Sequence, residues 1–397
     1  MQVLLLFPTN QNNLERWCKG ARNFGINLAV IEYTSRPLCY PSHVGPVIQV
    51  DKNVDDIAGV LPLIEGLTLS GVVAYSEPAV LLAHRLAKTL GLPHNPRLQP
   101  EAVREKTLMR ELLREAGLTQ PRTILTTDGP ISAADLQSAR FPVVVKPDDG
   151  VGSFGVRLSR TADEAVDAVA AVLRADPFAG IGWSIGNEVT IEEFVDGPSF
   201  SCDAIVVGGE VLWSGVTAHF KAAEPYFDDV GQIFPASARS SASELRQMAQ
   251  DAVSALGIDN GVCNVEFRET EDGPVIIEVA NRVAATGIPQ MIELVTGIML
   301  EESALSIATG RGHVARHGTG RYRYAGSRLH FASNPGIGFP DDAVIVESIV
   351  HARPQRDPTA RATQITELVG MTVVCGDNPT SITEWAQAGI PTPAAQA

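Results

Sequence analysis

"FPVVVKPDDGVGSFGVRLS", residues 141–159, runs a short apolar strand into a lysine, a proline and a loop carrying Gly150, Gly152 and Gly155. The glycines spell G-x-G-x-x-G, the pattern of dinucleotide-binding loops. Such a loop must open a helix, because the pyrophosphate rests on the helix N-terminus. Here Gly155 runs into "VRLS", an alternating stretch, and the helical pattern "TADEAVDAVAAVLRA" begins afterwards. The spacing predicts the tip of a β-hairpin. A Gly-rich hairpin over nucleotide phosphates, with a lysine on a neighbouring strand, belongs to phosphoryl-transfer folds. Lys146 would serve there as a point charge on phosphate oxygens. The bland alternative is an ordinary turn with a strand-end lysine, and no Walker sequence occurs.

Upstream, "VLLLFP", "NLAVIEY" and "SGVVAYSE" read as strands, and "NLERWCKGARNFG" and "AVLLAHRLAKTLG" as helices. This is a βαβ pattern with a parallel sheet. Its first turn, "FPTNQNN", lacks the glycines a nucleotide would need there. The proline-rich "LPHNPRLQP" marks a linker. In "EAVREKTLMRELLREAGL", Met109, Leu112, Leu113 and Ala116 share one helical face. Lys106 starts on that stripe in the first turn, either as a snorkelling lysine or as a phosphate contact beside helix amides.

"GVCNVEFRETEDGPVIIEVANR", residues 261–282, reads as two strands around a tight turn centred near Asp272. Glu266 and Glu278 are equidistant from that centre. An unbulged hairpin therefore sets them opposite each other with Cβ atoms about 5 Å apart. Two carboxylates so placed repel, and a hard cation such as Mg²⁺ carrying substrate phosphates suits them. A solvated strand face is the alternative. Asn281 and Arg282 follow, an amide oxygen and a fixed cation. In "IEEFVDGPSF", Glu192 and the backbone of Glu193, Phe194 and Val195 are candidates for an adenine edge. "HFKAAEPYFDDVGQIFPA", residues 219–236, has few period cues and is expected to be a loop over an acceptor site. His219 is its candidate for a substrate contact or proton acceptor.

With 397 residues, 45% hydrophobic and 19% charged, the chain suits two or three globular domains. Forty-six acidic against 31 basic residues, a formal charge of -15, argue against nucleic acid or an anionic membrane as partner. Five scattered cysteines without metal-binding spacing suit reduced thiols. No signal-peptide pattern or membrane-length apolar run occurs, so a cytoplasmic location is expected. The expected division is 1–95, 96–310 with subdomains about 96–190 and 191–310, and 311–397 as a C-terminal α+β lobe ending in a disordered tail, "IPTPAAQA".

Taken in order, "GLPHNP", "EKTLMRELLREAGLTQPR", the glycine hairpin, "IEEFVDG", "NVEFR" and "IIEVANR" resemble the ATP-grasp ligases over roughly residues 1–310. "IIEVANRVAATGIPQMIELVTGIML" is most similar to the L-amino acid ligases, which join a carboxylate to an amine. The resemblance implies a fold of α/β and α+β parts: a pre-ATP-grasp α/β domain, then an ATP-binding domain of two subdomains that clamp the nucleotide. It implies ATP and two Mg²⁺ ions, with Mn²⁺ as a substitute, and an acyl phosphate displaced by an amine. By it, Lys106 and Lys146 hold phosphates, and Gly152, Ser153, Phe154 and Gly155 cover the transferred group. Glu192 through Val195 match the adenine hinge, and Ser199 stands where a ribose-binding glutamate is usual. Glu266 and Glu278 match metal ligands. Asn281 lies one residue beyond the usual E-x-N position, and Arg282 matches an arginine at the phosphate and substrate carboxylate. Amino acid substrates and a homodimer would fit the same group. The competing expectations are a bicarbonate- or formate-using enzyme of the biotin carboxylase or purine-biosynthetic branch, and a non-catalytic ATP-binding protein.

Overall fold

The apolar runs near the N-terminus are buried on both faces, the condition for a parallel sheet. In the computed structural model, which describes residues 1–9, 11–33, 38–51, 56–175, 186–331, 338–350 and 368–388, four parallel strands lie in the order β3-β2-β1-β4. They are β1 (Gln2–Leu6), β2 (Asn27–Tyr33), β3 (Val47–Val50) and β4 (Leu69–Ala74). Helices α1 (Gln11–Asn23), α2 (Ile57–Val60) and α3 (Ala79–Thr89) complete the unit. Strand alternation sorts its core: Val3 and Leu5 pack with Leu14 and Trp17 of α1, whereas Leu4 and Leu6 pack with Leu82 and Leu86 of α3.

The linker ends in a 3-10 turn, Pro100–Val103, and α4 (Lys106–Glu115) starts afresh at Lys106. Glu105, its N-cap, makes no side-chain cap. Asp148 takes over, its Oδ1 accepting from the Thr107 amide at 2.9 Å and the Thr107 hydroxyl at 2.7 Å. Strands β5 (Thr123–Thr127), β6 (Val143–Pro147), β7 (Arg157–Ser159) and β8 (Val189–Glu193) form an antiparallel sheet of order β5-β8-β6-β7, backed by α5 (Ala162–Arg174). Because β6 pairs with β7 from Val143↔Ser159 to Val145↔Arg157, the three glycines lie in a hairpin connection, not at a helix start. Gly152 and Ser153 both have φ of 59°, a left-handed pair that glycine accepts freely and serine rarely adopts.

The largest sheet has eight strands in the order β13-β12-β9-β10-β11-β14-β16-β15. Its first five strands in chain order are β9 (Ser199–Val207), β10 (Glu210–Lys221), β11 (Asp229–Phe234), β12 (Gly261–Thr270) and β13 (Gly273–Ala280), the last at the sheet edge, with α6 (Ala242–Ala255) packed on one face. Ser241 and Glu244 close a reciprocal capping box at the start of α6. One expectation is corrected here. Residues 219–236 are a β-hairpin rather than a loop, since His219 and Lys221 end β10 and only the connection to β11 is irregular. Their polar side chains face a cleft, which erases the apolar alternation that marks a half-buried strand. β14 (Tyr324–Phe331), β15 (Val344–Val350) and β16 (Leu368–Gly376) extend the same sheet through the β11–β14 pairing. The connecting helices α7 (Ile288–Thr296) and α8 (Leu300–Ala308) join that sheet to the N-terminal unit, and α9 (Pro379–Gln387) buries Ile382 and Trp385 against Ile233 and Val374. The tail "IPTPAAQA" lies outside the described residues. No described helix is long and apolar enough to cross a membrane.

Candidate active site

A cleft of about 250 Å³ opens between the glycine-hairpin sheet and the polar face of the eight-stranded sheet. Period two builds its floor. Asn264, Glu266 and Arg268 alternate along β12 and pair with Asp203, Ser201 and Ser199 of β9. The guanidinium of Arg268 lies 5.4 Å from the ring centres of both Phe194 and Phe227, so one cation braces two aromatic walls.

Glu266 and Glu278 stand directly opposite each other across β12 and β13. The route to that register differs from the one the spacing suggests. The turn is two residues, Glu271 and Asp272, closed by the pair Thr270↔Gly273. An unbulged ladder from this turn would set Glu266 against Ile277. A register shift between Glu266 and Phe267 leaves Ile277 as an extra residue, and this β-bulge brings Glu278 into line. The bulged carbonyl of Ile277 accepts from Arg110 at 2.6 Å.

Arg110 lies one turn into α4 and is 4% exposed. Its guanidinium also grips the Glu192 carboxylate, at 2.8 Å through Nε and 3.3 Å through a terminal nitrogen. Glu192 in turn accepts from Lys146 Nζ at 2.5 Å. Burial would raise the Glu192 carboxyl, but Lys146 and Arg110 hold it well below the usual carboxylate range. Burial pushes the Lys146 ammonium down to about 8; Glu192 opposes that shift, and the charges of Arg110 and Lys106 add to it. The carboxylate of Glu192 is thus occupied, and in this geometry it orients Lys146 rather than meeting an adenine edge. Glu193, Phe194 and Val195 continue along the cleft wall with Ser199.

Lys106 donates to the carbonyls of Gly150 at 3.0 Å and Asp148 at 3.4 Å, and its Nζ lies 3.4 Å from Glu278 Oε1. It therefore links the glycine hairpin to the carboxylate pair. Burial works to raise Glu278, while Lys106, Lys146 and Arg282 together hold it below the ordinary range. The hairpin tip is anchored from the other side, where Ser153 Oγ donates to the Phe227 carbonyl at 3.1 Å.

At the other end, Arg282 Nε donates to Glu77 Oε2 at 2.5 Å. Glu77 comes from the N-terminal unit and is 5% exposed; its Oε1 is buried without a hydrogen-bond partner among the described residues. His219 places Nδ1 3.2 Å from the Asp229 carboxylate and Nε2 2.9 Å from Ser201 Oγ. Both ring nitrogens are committed to the protein, so the expected proton-acceptor role has no free nitrogen here. Lys221 Nζ sits 2.8 Å from Asp229, which Lys221 and His219 keep ionised against its burial.

Of the positions expected at the site, Lys106, Lys146, Gly152, Ser153, Glu192 to Val195, Ser199, His219, Glu266, Glu278 and Arg282 line this cleft. Phe154 and Gly155 do not. Phe154 is buried, and a Cβ added at Gly155 would press on the Pro147 ring. Asn281 is a correction: three residues past Glu278 it has the opposite strand parity, so it turns to a second cavity beside Gly261 and accepts from Cys263 Sγ at 3.7 Å. Residues unforeseen from the sequence are Glu77, Arg110, Asp203 and Asn264. The alternation Asn264-x-Glu266 was legible; the distant partners of Glu77 and Arg110 were not. Among the described residues no cluster of three or more His, Cys, Asp or Glu is arranged to hold a metal. The carboxylate pair nonetheless suits a hard cation whose other ligands are phosphate oxygens.

A model of the ATP-grasp domain matches residues 139–290. The chain is 30% identical over 267 residues to the D-alanine--D-alanine ligase of Rhodococcus opacus, covering 62% of this chain and 68% of that protein. It is 27% identical over 315 residues to carnosine synthase 1 of Homo sapiens, covering 74% of this chain but 38% of that much longer relative. Among solved structures, the L-amino acid ligase from Bacillus licheniformis has the same fold, with a TM-score of 0.71 over 97% of this chain and 96% of that one at 20% identity. On the clamped cleft and these likenesses, the chain belongs to the ATP-grasp family.

Proposed function

We propose that the protein is an ATP-dependent carboxylate-amine ligase that forms an amide from an amino acid, or a related carboxylate, and an amine or second amino acid. A carboxylate oxygen attacks the γ-phosphorus while the bond to the bridging oxygen of ADP breaks, giving an acyl phosphate. The amine nitrogen then attacks the acyl carbon, the carbon-oxygen bond to phosphate breaks, and the nitrogen sheds a proton. Phosphoryl transfer between anions is mainly a matter of positioning and charge neutralisation. The observation that carries the reading is that Lys106, Lys146 and Arg282 converge on one cleft with the opposed pair Glu266 and Glu278.

Lys146, held by Glu192, and Lys106, held by loop carbonyls, are assigned to nucleotide phosphates. Glu266 and Glu278 are assigned to the divalent cation, which when bound neutralises phosphate charge. Arg282 is assigned to the substrate carboxylate. The unpartnered Glu77 Oε1 beside it is a ready acceptor for an ammonium group, which favours an amino acid over bicarbonate or formate. The names of the similar D-alanine--D-alanine ligase and carnosine synthase support the same class. Phosphate release from Mg-ATP against single and paired amino acids, with bicarbonate and formate as controls, tests the reading. Release stimulated by an amino acid pair with ADP as product supports it. AMP as product, or stimulation by bicarbonate alone, overturns it.

A further inference from the structure

The pocket face of β13 carries Glu278 and then Ala280, so the side chain two residues beyond the glutamate offers no oxygen. The adjacent strand supplies one. Asn264 of β12 stands directly opposite Ala280, two pairs along from Glu266↔Glu278 and so on the same face, and it lines the cleft. Its orientation is fixed from the neighbouring strand β9. Asn264 Nδ2 donates to Asp203 Oδ1 at 3.0 Å, and Asp203 is wholly buried. A carboxylate accepts and does not donate, so it selects the nitrogen end of the amide and leaves the oxygen end of Asn264 for the cleft. Asp203 Oδ2 is also buried without a hydrogen-bond partner among the described residues.

We infer that Asn264, oriented by Asp203, supplies the neutral oxygen ligand of the divalent cation held by Glu266 and Glu278, in place of an amide on β13. The cross-strand swap keeps two carboxylates and one amide oxygen on a single face. Asp203 is the outer-shell partner that holds the ligand's rotamer, a role on which metal affinity commonly depends.

The inference rests on the nucleotide and metal reading of the cleft, and the experiment separates the two. Mn²⁺ binding is followed by loss of the free-ion electron paramagnetic resonance signal in the presence of ADP, with thermal melting as the check on folding. E266Q and E278Q should each weaken Mn²⁺ binding; if neither does, the metal reading itself fails. Given that they do, N264A should weaken it by about ten-fold or more, and adding A280N to N264A should restore most of the loss by returning the amide from the facing strand. N264A that melts normally and binds Mn²⁺ as the parent does overturns the inference. So does an N264A loss that A280N cannot rescue.

Discussion

Arg110 of α4 donates to the carbonyl of Ile277 on β13 at 2.6 Å. The same guanidinium holds Glu192, and Glu192 holds Lys146. One buried side chain thus fixes both the carboxylate that holds Lys146 and the bulge that aligns Glu278 with Glu266.

Replacing Arg110 by alanine leaves a bulged carbonyl unpaired and a buried carboxylate short of one cation. Urea unfolding should show R110A destabilised by about 3–5 kcal/mol, the usual cost of breaking a buried pair. R110K keeps the charge but not the fork, so it should recover part of that loss. Equal stability of R110A and the parent would contradict the coupling.

Lys146 carries the pH signature. With burial pushing its ammonium down to about 8, the charge is present below that pH and lost above it. ATP affinity measured by calorimetry should be flat near pH 7 and fall as pH rises through 8, approaching ten-fold per unit where this single proton governs binding. K146R keeps its charge and should flatten the curve. A parent curve that stays level to pH 9.5 would refute the assignment.

Much of this was legible in the sequence, for identifiable reasons. The alternating stretch after Gly155, ahead of any helical pattern, gives the hairpin, and parity along "NVEF" puts Asn264 and Glu266 on one face. The Glu266–Glu278 opposition also follows from spacing, although two offsets cancel: the turn centre lies between Glu271 and Asp272, and the Ile277 bulge restores the register. A bulge held by an arginine 167 positions away has no local trace. Glu77 pairs with Arg282 across 205 positions and was equally invisible. The sheet extension by β14 to β16 depends on pairing with β11, which periodicity within any one strand does not encode.

His219 is pinned between Asp229 and Ser201. It should therefore act as a positioning residue. H219A is expected to lower kcat by less than about ten-fold with an unmoved pH profile, whereas loss of a general base costs roughly 10²–10⁴. A loss in that larger range with an altered basic or acidic limb would restore His219 as the proton acceptor.

Asn281 faces the second cavity. N281A should leave Mn²⁺ affinity within about three-fold of the parent, a change under 1 kcal/mol. A larger loss would mean that the side chain reverses on ligand binding.

E77Q keeps the size of the side chain and removes its charge beside Arg282. The KM for the amino acid should rise by about ten-fold or more while the KM for ATP stays near the parent value, about 1.4 kcal/mol confined to one substrate. An equal effect on both substrates would point to a structural role.

In the proposed ligation a substrate carboxylate attacks the γ-phosphate. With the amino acid pair that stimulates turnover, each acid labelled in turn with ¹⁸O in its carboxylate, mass spectrometry of the released phosphate reads the step directly. One ¹⁸O in the phosphate, together with ADP, is the result expected of an acyl phosphate, and the labelled acid identifies the acyl donor. Unlabelled phosphate from both, or AMP in place of ADP, would contradict the mechanism.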